Sequence, residues 1–66
     1  MPRKIRQLIA DLERAGFRLV PGGKGGHRKF RHPGFAGAVI LSGAEGADAH
    51  HYQEKQVTAA IRDITK

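Results

Sequence analysis

The sequence predicts an α+β fold: a helix, three strands forming an antiparallel sheet, and a second helix, with both helices on one face of that sheet. Apolar residues recur at helical spacing near both ends of the chain, and three short strand-like runs lie between them. The connections are short, which favours a meander. Because 66 residues have room for only one core, residues 1–66 are expected to form a single domain.

The first helix is predicted over residues 3–15. Ile5, Leu8 and Leu12 lie at the spacing that places apolar side chains along one helical face, and mostly polar residues occupy the rest of the surface. Gly16 follows, as glycine commonly does where a helix ends in a left-handed residue. This helix is therefore expected to bury one stripe of side chains against the sheet.

Three strands are predicted in the middle of the chain. Each is bounded by glycine or proline, which interrupt regular structure. The run from Ala38 to Leu41 is continuously apolar, which is typical of a central or well-covered strand. The predicted strands span residues 17–21, 27–32 and 37–41.

The second strand has a distinctive side-chain pattern. Successive side chains of a strand point to opposite faces of the sheet. If Phe30 faces the core, then His27, Lys29 and Arg31 share the other face. That face is consequently cationic and carries an imidazole.

The second helix is predicted over residues 52–64, after a glycine-rich loop at residues 42–47. Asp48 is expected to cap it, and Val57 and Ile61 lie on its apolar face. The predicted core draws on both helices and all three strands, through Ile5, Leu8, Leu12, Phe17, Leu19, Phe30, Ile40, Val57 and Ile61.

The charge is strongly positive and one-sided. Twelve basic residues against six acidic ones give a net charge of +6, and nine of the basic residues but only two of the acidic ones lie in the first 33 positions. This distribution favours a polyanion such as nucleic acid as partner, although surface charge also keeps small proteins in solution. The chain has no cysteine, which excludes disulfides, and no run long enough to span a membrane, so a cytoplasmic protein is expected.

The loop from Gly22 to Gly26 resembles a phosphate-binding loop in composition but not in context. Both the Walker and the dinucleotide patterns require a helix to follow, whereas a strand follows here. Two interpretations remain: a hairpin turn, or a loop thin enough for an RNA backbone to approach. From the thin loop, the charges and the strand facing, the predicted phosphate-binding residues are Lys24, Gly25, Gly26, Arg28, Lys29 and Arg31.

The four histidines are His27, His32, His50 and His51. They lack the spacing of a zinc site and no acid lies near His27, so neither a metal nor another cofactor is expected. His27 stands apart because it begins a strand among basic neighbours. RNA carries its own nucleophile, the 2′-hydroxyl, so its cleavage needs only a group that exchanges protons near neutral pH, with cations around the phosphate. His27 is the predicted catalytic residue.

Several runs of residues resemble a known family. Leu12, Ala15, Gly16 and Phe17, then Gly23 to His27, then Phe30 to Pro33, resemble the HicA-type mRNA interferase toxins. That family has a helix, three strands and a helix, a fold related to double-stranded RNA-binding domains. The resemblance implies the toxin of a type II toxin-antitoxin system, an endoribonuclease with His27 as catalytic residue, neutralised by a HicB-type antitoxin. The family usually has serine where this chain has Gly26, and residues 42–53 depart from the common pattern.

Three functions remain open at this point. The first is an RNA-cleaving toxin in which His27 acts as general base or acid beside phosphate-binding cations. The second is a non-catalytic RNA-binding module that uses the same basic face, since binding needs charge and shape but no proton transfer. The third is a small interaction protein whose basic face docks an acidic partner.

Overall fold

The computed structural model describes residues 3–21 and 27–65 and confirms the predicted α+β class and element order. Each predicted boundary lies within two residues of the observed one. The elements are α1 (Ile5–Arg14), β1 (Arg18–Val20), β2 (Arg28–Arg31), β3 (Val39–Leu41) and α2 (His51–Ile64).

The three strands form an antiparallel meander in the order β1-β2-β3. β2 is therefore the central strand, whereas the strongly apolar β3 lies at an edge. Phe30 of β2 is paired with Leu19 on one side and with Val39 on the other, and Arg28 is paired with Leu41. Because paired residues share a face of the sheet, this register decides which side chains lie together.

The core lies between the two helices and one face of the sheet. The apolar stripe predicted for α1 is buried, as is Val57 of α2. Phe30 is 1% exposed and packs in the same cluster, which explains why both helices lie on this side of the sheet. The buried apolar residues are Ile5, Leu8, Leu12, Phe17, Phe30, Val39, Leu41, Ala49, Val57 and Ala60.

Two residues that were predicted to lie in the core are exposed instead, so the prediction is wrong for both. Ile40 is 47% exposed because its neighbours Val39 and Leu41 take the inward positions of β3, which turns Ile40 to the other face. Leu19 is 60% exposed although its partner Phe30 is buried, because β1 is an edge strand and the core does not extend over its side chain. Ile61 packs against the core but is only partly buried.

The N-terminus of α2 differs from the prediction. Asp48 does not cap this helix: His50 occupies the N-cap position, and Asp48 pairs instead with Lys4, both by a backbone bridge and by an ion pair of 2.5 Å from Nζ to Oδ1. Gln53 closes the turn, since its Oε1 accepts the His50 N–H at 2.8 Å. The Gln53 Nε2 also donates to the Ser42 carbonyl at 3.2 Å, so this buried amide joins α2 to the end of β3.

Gly16, which follows α1, has a φ of +99°. A side chain here is disfavoured for two reasons: the backbone lies in the left-handed region, and a Cβ would approach the His32 ring to 3.2 Å. The His32 ring lies against Phe17, with 5.1 Å between ring centroids, and its Nδ1 accepts the Gly34 N–H at 2.8 Å. His32 is therefore a packing residue at the junction between α1 and the turn after β2.

Candidate functional site

The face of the sheet turned away from the helices, here called the open face, consists of Arg18, Val20, Lys29, Arg31 and Ile40. The register places these side chains together, because Arg18 is paired with Arg31, and Lys29 lies between Val20 and Ile40. With Phe30 buried, the structure confirms that Lys29 and Arg31 lie on the opposite face from it. Three cations thus share one small surface with two aliphatic side chains.

Arg18 and Arg31 form an unfavourable pair. They are direct cross-strand partners, both are exposed, and like charges in this position destabilise a sheet. No acid offsets them, because all six acidic residues of the chain lie on the helices or in the loop between β3 and α2. The open face is consequently suited to an anion supplied from outside the fold.

The ion pairs lie elsewhere in the molecule. Among residues 3–21 and 27–65, Asp11 pairs with Arg3 and Arg14, Asp48 with Lys4, and Glu45 with Arg28. The shortest of these contacts joins Lys4 to Asp48, and all involve α1 or the loop before α2. Within this described part of the chain, the open-face cations have no ion-pair partner. These ion pairs therefore lie on the helical side and in the loop before α2, and none of them reaches the open face.

Arg28 belongs to a different environment from Lys29 and Arg31. Its register partner Leu41 is buried, so Arg28 lies on the same side of the sheet as the core. Its guanidinium donates to the Gly43 carbonyl at 2.8 Å and lies 3.7 Å from the Glu45 carboxylate. Arg28 thus holds the loop after β3, and the phosphate-binding role predicted for it stays a prediction.

His27 lies immediately before β2 and is exposed. Because Arg28 is paired with Leu41, the position of His27 is at the end of the sheet where β3 leads into Ser42. The imidazole makes no hydrogen bond or ion pair with the described residues. The predicted phosphate-binding residues Lys24, Gly25 and Gly26 lie outside the described residues.

The other histidines do not join His27 in a shared cluster. His32 packs against Phe17, whereas His50 and His51 begin α2. Within residues 3–21 and 27–65, no three histidine, aspartate or glutamate side chains lie close enough together to hold a metal ion. No helix in these ranges is both long and apolar enough to cross a membrane.

Arg18 is the residue of the open face that the sequence analysis missed. The alternation of Phe17, Arg18 and Leu19 was sufficient to turn Arg18 away from the core. Its position opposite Arg31 depends on the strand register, however, and the register is set by the loop and by the packing of both strands. The charge pattern alone therefore did not single it out.

The fold and the open face together define a small α+β protein with a basic sheet surface. In a comparison with models of protein families, the model described as HicA toxin of bacterial toxin-antitoxin systems matches residues 5–64 of this chain. The chain therefore belongs to the HicA toxin family, which confirms the resemblance seen in the sequence. Comparisons with curated proteins and with solved structures gave no match.

Proposed function

We propose that this HicA toxin is a metal-independent endoribonuclease that cleaves mRNA in the cytoplasm. The observation that carries the proposal is the open face, where Arg18, Lys29 and Arg31 lie without a compensating acid. A ribose-phosphate backbone supplies the anion that relieves the repulsion between the two arginines. His27 immediately precedes the same central strand, within the reach of a backbone that follows these cations.

The proposed reaction uses the nucleophile that RNA itself carries. His27 accepts the proton of the 2′-hydroxyl, and the 2′-oxygen attacks the adjacent phosphorus. The bond from phosphorus to the 5′-oxygen breaks, and this oxygen takes a proton from solvent, so the products are a 2′,3′-cyclic phosphate and a 5′-hydroxyl. The His27 imidazolium then returns its proton to solvent. Lys29, Arg31 and Arg18 stabilise the charge that develops on the phosphate oxygens.

The phosphate-binding set of the proposal has two parts. Lys29, Arg31 and Arg18 bind the backbone from the open face, and the second part is Lys24, Gly25 and Gly26, which precede His27 in the sequence and lie outside the described residues. The predicted contribution of Arg28 is the least supported by the geometry, since its guanidinium is engaged with the loop after β3.

A HicB-type antitoxin is the proposed protein partner. An acidic surface that covers the open face would neutralise the three cations and exclude RNA from the same place. The exposed Ile40 in this face adds apolar area to such an interface. We expect the purified complex neither to bind nor to cleave RNA.

The second candidate function is a non-catalytic RNA-binding module. The environment of His27 favours it: the imidazole has no hydrogen-bond partner among the described residues to orient the ring, whereas a catalytic histidine commonly has one. In this alternative the open face binds the backbone and no bond is broken.

The test is cleavage of an end-labelled single-stranded RNA by the wild type and by His27→Ala. The substitution removes the proton acceptor and none of the cations, so cleavage should fall by about 100-fold or more while RNA affinity changes little. His51→Ala is the matched control, because it removes another exposed imidazole, and it should cleave as the wild type does. Wild-type cleavage should persist in a chelator. Equal cleavage by the wild type and His27→Ala would exclude His27, and a folded wild type that binds without cleaving would establish the module.

A further inference from the structure

An exposed pair of rings lies at the beginning of α2. Tyr52 is 61% exposed, whereas the three phenylalanines are buried or half-buried. The His50 ring lies parallel to the Tyr52 ring, with 9° between their planes and 5.8 Å between their centroids. These two rings, here called the ring pair, contribute no buried side chain to the core.

The ring pair is attached to the end of the sheet where His27 lies. Gln53, the residue after Tyr52, accepts the His50 N–H and donates to the Ser42 carbonyl. Ser42 follows the last residue of β3, which is paired with the neighbour of His27. Because Gln53 is buried, the first turn of α2 is held in place relative to this strand end.

The charges near the ring pair are mixed. The two acids of the preceding loop are already paired, Glu45 with Arg28 and Asp48 with Lys4, while Glu54 in the first turn of α2 is followed directly by the basic Lys55. The five residues of the open face supply cations and aliphatic side chains, and the half-buried rings of His32 and Phe35 line the cavity beside Arg18 and Arg31. The ring pair adds a more exposed aromatic surface, on which a base can stack.

We propose that the ring pair of His50 and Tyr52 binds an unpaired base of the RNA by stacking, next to the position that is cleaved. The inference rests on the proposed function and extends it: the substrate is single-stranded at the site, because a base in a duplex cannot leave its neighbours without cost. Aromatic side chains stack on any base, so this contact adds affinity with little sequence preference.

The first experiment uses the fluorescence of Tyr52, since the chain has one tyrosine and no tryptophan. A 2′-O-methylated single strand, which lacks the nucleophile, is titrated into the wild-type protein, and the same sequence as a duplex serves as the control. Stacking should quench the fluorescence with the single strand and much less with the duplex. Binding of the single strand without quenching overturns the proposal.

The second experiment compares variants for binding to the same strand. Tyr52→Ala should weaken binding by about 5- to 150-fold, whereas Tyr52→Phe, which keeps the ring, should bind as the wild type does. Gln56→Ala is the matched control, because this residue is also exposed and lies one turn further along α2. The dependence on salt should be unchanged in Tyr52→Ala, whereas Lys29→Ala should lower the salt slope by about one.

The outcomes separate the two proposals. If the wild type binds and cleaves RNA and Tyr52→Ala does both equally well, the stacking proposal is refuted and the proposed function is not. A wild type that neither binds nor cleaves RNA refutes the proposed function and the ring pair with it. If Tyr52→Ala weakens only the complex with the antitoxin, the ring pair is a protein contact and the stacking proposal is wrong.

Discussion

Replacing Gln53 with glutamate should make the stability of the protein depend on pH. In the wild type, the buried Gln53 side chain accepts one hydrogen bond from the His50 N–H and donates one to the Ser42 carbonyl. A carboxylate keeps the first bond but loses the second, and its charge lies against a carbonyl oxygen. The unsatisfied carbonyl and the buried charge together should cost about 3 kcal/mol at neutral pH.

Protonation should restore most of this loss. A neutral carboxyl can donate to Ser42 as the amide does, and burial raises the pKa of the introduced group above its value of about 4.3 in the unfolded chain. The folded state then binds the extra proton more tightly, so the deficit relative to the wild type is smallest below about pH 4 and grows as pH rises from there through the raised pKa of the folded state. In a domain of this size, about 3 kcal/mol corresponds to a fall in Tm of roughly 12–24 °C.

The matched control is Gln7→Glu. Gln7 occupies the same position in α1, and its Oε1 accepts the Lys4 N–H at 2.8 Å, but its side chain is exposed and donates to no buried carbonyl. At the start of a helix beside Lys4, the introduced charge should be neutral or stabilising by up to about 1 kcal/mol. Thermal unfolding followed by circular dichroism at pH 4 and pH 7 tests both variants against the wild type. Equal deficits for Gln53→Glu at the two pH values would refute the reasoning.

Further predictions concern a glycine and the open face. Gly16→Ala should destabilise the fold more than Gly37→Ala, because both glycines have a positive φ but only at Gly16 does the added Cβ lie 3.2 Å from the His32 ring. The backbone strain alone costs about 1–2 kcal/mol in each variant. Equal losses of stability in urea unfolding would show that the contact with His32 contributes nothing. Arg18→Gln should raise the free energy of unfolding by about 0.2–1 kcal/mol by relieving the pair with Arg31, yet weaken RNA binding and lower its salt slope; a loss of stability would contradict the repulsion.

The fold was predictable because each element carries a local signal. The stripe of Ile5, Leu8 and Leu12 determines α1, and the alternation around Phe30 determines which side of β2 faces the core. Leu19 and Ile40 were misplaced because hydrophobicity alone does not say which residues of a three-residue strand lie under a helix. That depends on register and on which strand lies at the edge, both of which are set by contacts distant in sequence.

The candidate site was predictable only in part. The position of Lys29 and Arg31 follows from the alternation of side chains along β2. The contacts of Arg28 with Gly43 and Glu45 depend instead on the conformation of the loop after β3, which the sequence of β2 does not determine. The capping of α2 was missed for a related reason. Asp48 is a common capping residue, but Lys4 from the other end of the chain takes its carboxylate.

The separation of charge between the two sides of the molecule has a consequence for how partners arrive. With acids confined to the helices and the loop before α2, Arg18, Lys29 and Arg31 produce a positive field in front of the sheet. Such a field turns the molecule during diffusion, so that a polyanion meets Lys29 and Arg31 before it meets the helices. RNA and an acidic antitoxin would then compete for the open face through their association rates as well as their affinities. Added salt would lower both association rates.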